Sequence, residues 1–248
     1  MLGLIDRWYA FRKCRQGYRV PKVSWEPEIV SCDKAKTSWF CFVPSMVSRV
    51  SLIRRGLIPA EGQVFVYTLS SLDLITADPE VTVEKLHCVY DHALEHMQMA
   101  VKQGKSVNLL GVSLGNVLSI RLAGQARTKI INLISIIGGG NLGLSCWDSI
   151  LTGYVARQSV CATAERYEEM MSVFSPVSYI REVEAERVVI RLGTHDLLIP
   201  FRHGEILVDA FVRRSQNTSM QIAYKAYRGA DHASAMFFSS LENLWRSK

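Results

Sequence analysis

The chain predicts an α/β protein: a mostly parallel central sheet with helices on both faces. Three observations carry this prediction. Short, nearly continuous apolar runs of strand length recur along the sequence, at residues 38–43 (SWFCFV), 63–69 (QVFVYTL), 107–110, 129–137 (KIINLISII) and 187–192 (RVVIRL). They alternate with segments whose apolar residues recur at steps of three and four, the spacing of one helix face. An apolar fraction of 48% over 248 residues is ample for a core covered on both sides.

Residues 1–15 read as an amphipathic segment with Leu4, Trp8 and Phe11 on one face and Arg7, Arg12, Lys13 and Arg15 nearby. Such a helix packs on its own domain or lies in a lipid headgroup layer, so peripheral membrane contact through 1–15 is one expectation. The proline-bearing stretch 16–36 suits one or two edge strands. Strand 38–43 is closed by Pro44-Ser45-Met46; residues 50–57 are helix-like, and strand 63–69 follows. Pro79 opens a long helix carrying Leu86, Val89, Ala93 and Met97 on one face, which Gly104 stops. After strand 107–110 the period changes at Leu114, with Val117, Leu118 and Leu122 at helical steps. Strand 129–137 ends at Gly138-Gly139-Gly140, helix 203–214 follows strand 187–192, and 219–224 (SMQIAY) reads as the last strand. Between 141 and 186 two helix-like pieces, SCWDSILTGYV and AERYEEMMSVF, have no strand between them. They suit a small helical lid over the carboxyl ends of the strands, where ligands bind in such sheets. The chain reads as a single domain over 1–248, with 141–186 as the lid and 1–16 as the amphipathic amino-terminal segment.

Composition narrows the function classes. The formal charge of +6 and pI near 9.0 come from scattered basic residues with no aromatic-basic strip, which argues against nucleic acid as a partner. Six cysteines (Cys14, Cys32, Cys41, Cys88, Cys146, Cys161) show no C-x-x-C pair or regular spacing, so buried free thiols in a reducing compartment are expected. No apolar run approaches the roughly 20 residues that span a bilayer, and no signal-peptide pattern opens the chain. A cytoplasmic protein, at most membrane-peripheral, is the expectation.

Chemistry concentrates in the joint between strand 107–110 and the helix after it, GVSLG at 111–115. A strand that runs into a helix over so few residues must turn sharply, and glycines let the neighbouring backbone come close. Ser113 is thereby lifted above the carboxyl end of its strand, where the amide of Leu114 and the helix dipole face a developing negative charge. Two further turns stand at the same edge. GTHDLLIP at 193–200 presents Asp196, and GADH at 229–232 presents His232. The chain order is serine, aspartate, histidine.

With GVSLG, GTHDLLIP, GADH and SPVSYI at 175–180, the sequence resembles the α/β-hydrolase family over about residues 38–245. The resemblance implies Ser113 as nucleophile, His232 as the base and Asp196 as the carboxylate that orients it. It implies an oxyanion hole made by the amide of Leu114 and one from the loop after 38–43, Ser45 or Met46. The activity implied is cleavage of a carboxylic ester or thioester, with a small-molecule acyl ester as substrate and no cofactor or metal. A hydrolase-fold binding protein with little catalysis, and a membrane adaptor acting through 1–15, are the alternatives. Two departures stand out: the loop after 38–43 lacks a His-Gly pair or glycine run, and Ser70-Ser71-Leu72 stands where many relatives carry a glycine-rich turn.

Rival residues compete for these roles. Asp231 adjoins His232, but neighbouring residues rarely aim side chains at each other; His195 reads as a turn residue, and Asp148 is a fallback acid. His92 and His96 match H-x-x-E-H, a zinc pattern that a solvated helix face explains as well. In the lid, Trp147, Leu151, Tyr154, Met170, Met171 and Phe174 either line an acyl pocket or pack the lid onto the body. The sequence leaves oligomeric state and acyl length open.

Overall fold

The computed structural model describes residues 27–30, 35–44, 47–126, 128–242 and 244–245. Among the described residues seven strands, β1 (Glu28–Val30), β2 (Thr37–Pro44), β3 (Gln63–Leu69), β4 (Ser106–Val112), β5 (Ile130–Ile136), β6 (Ala185–Gly193) and β7 (Gln221–Tyr227), form one sheet. Their order is β1-β3-β2-β4-β5-β6-β7. Every pairing is parallel except the edge pair of β1 with β3. The helices are α1 (Arg49–Arg54), α2 (Ser71–Leu74), α3 (Pro79–Lys102), α4 (Gly115–Gln125), α5 (Leu142–Asp148), α6 (Gly153–Ala156), α7 (Ala164–Met171), α8 (Phe201–Ser215) and α9 (His232–Ser239). No helix among the described residues is long and apolar enough to cross a membrane. The amphipathic segment 1–15 lies outside the described residues, as does most of 16–36; β1 is the edge strand the latter contributes.

Strand alternation divides the core in two. Phe40, Phe42, Leu109 and Val188 join the apolar faces of α3, α4 and α8 on one side of the sheet. Trp39, Cys41, Val43, Leu110 and Val189 meet α1 and α9 on the other. Each large side chain buried this way contributes about 1.5–3 kcal/mol. The first face is rich in rings: Phe40 stacks on Phe65 at 4.6 Å and Phe42 on Tyr67 at 5.0 Å between centroids.

Local signals set most boundaries. Asp78 caps α3, accepting from the Glu80 amide at 2.9 Å with Pro79 in the first turn, and Gly104 at φ 72 turns the chain after its end. α1 is shorter than the periodicity of 50–57 suggests, because Gly56 at φ 62 turns the chain two residues after Arg54. β7 runs to Tyr227 instead of stopping near Tyr224, because it pairs in register with β6 as far as Gly193. Sheet pairing overrides the local pattern there.

The segment 141–184 holds α5, α6, α7 and two 3₁₀ turns without a strand. Its parts diverge. α5 and the turn after it face the carboxyl edge of the sheet, whereas α7 packs on α5 and α3 and the 3₁₀ turns pack against α3 and α4. Tyr167 donates to Thr76 O at 3.3 Å, and the Phe174 ring lies 4.9 Å from that of His87. Glu168 ties the halves together by accepting from the Leu144 amide at 3.0 Å and from the Ser175 hydroxyl.

Candidate active site

The joint between β4 and α4 holds Ser113 at φ 56, in the left-handed region that side chains seldom adopt. The flanking glycines are required by contact. A Cβ at Gly111 would lie 2.7 Å from Asn116 Cα, and one at Gly115 would lie 2.1 Å from the carbonyl oxygen of Phe42 on β2. The Ser113 amide donates to Ile136 O at 2.9 Å, which pins the turn to the neighbouring strand.

Two loops at the same edge converge on one hydrogen bond. After β6, Asp196 is buried, and its Oδ1 accepts from the amides of Leu198 and Ile199, both at 2.8 Å. Its other oxygen accepts from Nδ1–H of His232 at 2.7 Å. This fixes the histidine ring and turns Nε2 away from the carboxylate. The loops are zipped together below this bond: the His195 amide donates to Ala230 O at 2.9 Å and the Gly229 amide to Thr194 Oγ1 at 2.8 Å. Gly193 leaves room for the approach, since a Cβ there would lie 2.6 Å from Ala230 O. Asp231 is the amino-terminal cap of α9, accepting from the Ser234 amide at 2.9 Å, and His195 is an exposed turn residue bonded to Thr194.

Ser113, Leu114 and His232 line one cleft. Its walls are mainly apolar: Leu69, Leu72 and Ile75 on the side of β3, and Leu142, Cys146 and Leu151 on the side of the lid. Ser70, Ser71 and Leu72, the departure seen in sequence, form part of the near wall. Pro44, at the end of β2, also lines the cleft, while Ser45 and Met46 lie outside the described residues.

The five aromatic and methionine residues expected as pocket lining are elsewhere. Met171 and Phe174 are fully buried in the core, Met170 packs on its margin, Trp147 lies against Tyr167 at 5.8 Å, and Tyr154 is 68% exposed. The reason is how this segment packs: α7 lies against α5 and α3, and the 3₁₀ turn bearing Phe174 against α3 and α4, so their apolar side chains enter the core instead of the cleft. Ser145, Ser149 and Thr152 line the cleft instead, short polar side chains that no apolar spacing marks out.

Asp148 has a structural partner of its own. It accepts from Nε2–H of His203 at 2.8 Å and from Arg202, joining the end of α5 to the start of α8. Burial works against its charge, but these hydrogen bonds outweigh it and hold the carboxyl below its ordinary range. Burial lowers the pKa of His203, more than its carboxylate partner raises it. His92 and His96 lie on α3, half-buried against β3. His92 Nδ1 is 3.2 Å from the Tyr67 hydroxyl, and the His96 ring is 5.1 Å from that of Phe65. No group of three metal-ligating side chains forms among the described residues.

No family model matches the chain, and no curated protein matches it in sequence. Solved structures do match in shape. A Mycobacterium tuberculosis puromycin-hydrolyzing peptidase aligns over 91% of this chain with a TM-score of 0.60 and 15% identity. The Pyrococcus horikoshii acylaminoacyl peptidase aligns over 88% with a TM-score of 0.59 and 12% identity. The chain spans only 39% and 36% of the lengths of these two proteins. A Thermus thermophilus protein, TT1662, is matched over 91% of its own length and 85% of this chain, with a TM-score of 0.56 and 14% identity. At such identities the likeness concerns shape, and with the strand order and pairing above it establishes that the chain adopts the α/β-hydrolase fold.

Proposed function

We propose that the chain is a serine hydrolase that cleaves a carboxylic ester or thioester through an acyl-enzyme, with Ser113, His232 and Asp196 as its triad. The observation that carries this reading is the hydrogen bond from His232 to Asp196 at the rim of the cleft onto which a left-handed serine opens. In the first step Ser113 Oγ attacks the acyl carbonyl while His232 Nε2 takes its proton. The bond to the leaving alcohol or thiol then breaks, and that proton passes to the leaving group. Water repeats the sequence on the acyl-serine and releases the acid. Asp196 keeps its negative charge throughout and stabilises the imidazolium. The amide of Leu114, at the start of α4, faces the oxyanion; the second donor expected from Ser45 or Met46 lies outside the described residues. The apolar walls of the cleft suit an acyl chain, which is why an ester is favoured over a charged substrate.

Amide cleavage is the second reading, favoured because two structural neighbours are peptidases by name. A fluorophosphonate probe tests the class, and labelling of the wild type that disappears in Ser113→Ala is the expected result. A folded wild type that stays unlabelled points instead to a hydrolase-shaped binding protein. Nitrophenyl esters and anilides of increasing acyl length then separate the substrates: esterase activity without anilidase activity supports the ester reading, and the reverse replaces it with the amide.

A further inference from the structure

A serine at φ 56 must be held there against its own backbone preference, because such strain persists only where the surroundings over-determine it. One side chain outside the triad provides the hold. Asn116, three residues beyond Ser113 in the first turn of α4, is fully buried. Its side-chain amide donates to two main-chain oxygens at once, Ser113 O at 3.0 Å and Ile136 O at 3.0 Å. Ile136 O also receives the Ser113 amide at 2.9 Å, so the N–H and C=O of the serine are both tied to the last residue of β5.

The amide orientation is not arbitrary. Both partners are carbonyl oxygens, so only the NH₂ group can face them. The cost appears on the other side: Asn116 Oδ1 is buried and finds no partner among the described residues. A buried acceptor without a donor is unfavourable, and it is tolerated here in exchange for a clamp on the turn. The neighbouring chain is shaped around that clamp. Gly138 faces it so closely that a Cβ there would lie 2.4 Å from Asn116 Cγ, and Ile137, just before it, takes φ 51. A β-branched residue with positive φ is rare, so the strand end itself is bent where the clamp needs room.

We infer that Asn116 is a positioning residue for Ser113: its bridge to β5 holds the serine in the left-handed conformation and fixes Oγ relative to the Leu114 amide. This inference rests on the serine hydrolase reading. Without the bridge the turn relaxes, Oγ leaves the line of attack, and substrate binding in the cleft is left as it was.

The test uses the full chain and four variants: Asn116→Ala, Asn116→Ser, Gly138→Ala and the double variant Asn116→Ala with Gly138→Ala. For each, the rate of fluorophosphonate labelling, kcat and KM on a nitrophenyl ester, and thermal unfolding are measured. Asn116→Ala is expected to lower kcat and the labelling rate together by about 100-fold, the typical cost of misplacing a reacting group by an ångström. KM should stay within about twofold, because uniform substrate binding is untouched. Gly138→Ala should lower kcat by displacing the amide, and in the double variant its added cost should be smaller, since the amide is gone and only the contact with the Cβ of residue 116, at 2.8 Å, remains.

A folded Asn116→Ala that labels as fast as a reactive wild type overturns the inference and leaves the hydrolase reading standing; so does a change confined to KM, or strict additivity in the double variant. A folded wild type that does not label overturns the hydrolase reading and the inference with it. If Asn116→Ala is recovered unfolded, Asn116→Ser and Gly138→Ala carry the same criteria, with wild-type kcat in both folded variants as the overturning result.

Discussion

Ser113 is the residue on which the site depends, and its geometry has consequences that can be measured. Asp196 receives three hydrogen bonds, two from amides and one from His232, so Asp196→Asn should preserve the loop while favouring the wrong histidine tautomer. Under the proposed mechanism kcat falls by roughly 10⁴-fold with little change in thermal stability; steady-state kinetics beside calorimetry checks both. Gly115 makes the opposite kind of prediction. A methyl there meets the Phe42 carbonyl at 2.1 Å, and backbone cannot step aside as a flexible side chain can. Gly115→Ala should cost about 3 kcal/mol, which lowers Tm by roughly 6–12 °C for a chain of this size. The two glycines of GVSLG thus differ from the serine between them: they are needed for folding whether or not the site is active.

Elements are joined by two polar devices on the first face of the sheet. The first is Arg121 on α4, whose guanidinium lies 4.4 Å from the centre of the Tyr90 ring, 4.1 Å from Phe174 and 5.4 Å from Tyr179. It links α4, the helix that follows Ser113, to α3 and to the turns after α7. Arg121→Ala should remove about 2 kcal/mol of desolvated cation–π attraction, seen as a Tm lower by roughly 4–8 °C. The second is the Asp148–His203–Arg202 cluster between α5 and α8. Because burial depresses the pKa of His203 below its ordinary value of 6.5, the unfolded chain takes up the proton first as pH falls. The stability gained by keeping His203 neutral is therefore complete above that value and is lost as the pH drops through it toward the folded pKa. Thermal unfolding followed from about pH 7.5 to about pH 5.5 should show Tm falling in the wild type and falling less steeply in His203→Gln.

Taken whole, the molecule stores its stability in two apolar layers that share one sheet. Tyr167, Met171 and Phe174 belong to the same buried cluster as Phe40 and Phe42, so the 141–184 segment is part of the body's core as well as a wall of the cleft. Scanning calorimetry should accordingly give a single transition, with calorimetric and van't Hoff enthalpies in agreement. A separate early transition would mean that the lid unfolds by itself.

The sequence alone determined the α/β class, the parallel strands and the three turns that bear Ser113, Asp196 and His232, because each is written in local terms. A buried strand needs a short apolar run, a sharp turn needs glycine, and neither waits for distant partners. The tertiary structure alone decided which lid residues meet the cleft, where β7 ends and what Asp148 and Asn116 do. Each of these turns on a contact between segments far apart in the chain, where apolar periodicity says that a face is buried but not against what. Met171 and Phe174 show it plainly: their spacing promised burial, and only the packing of α7 on α5 and α3, and of the turn after it on α3 and α4, sent them into the core instead of the cleft.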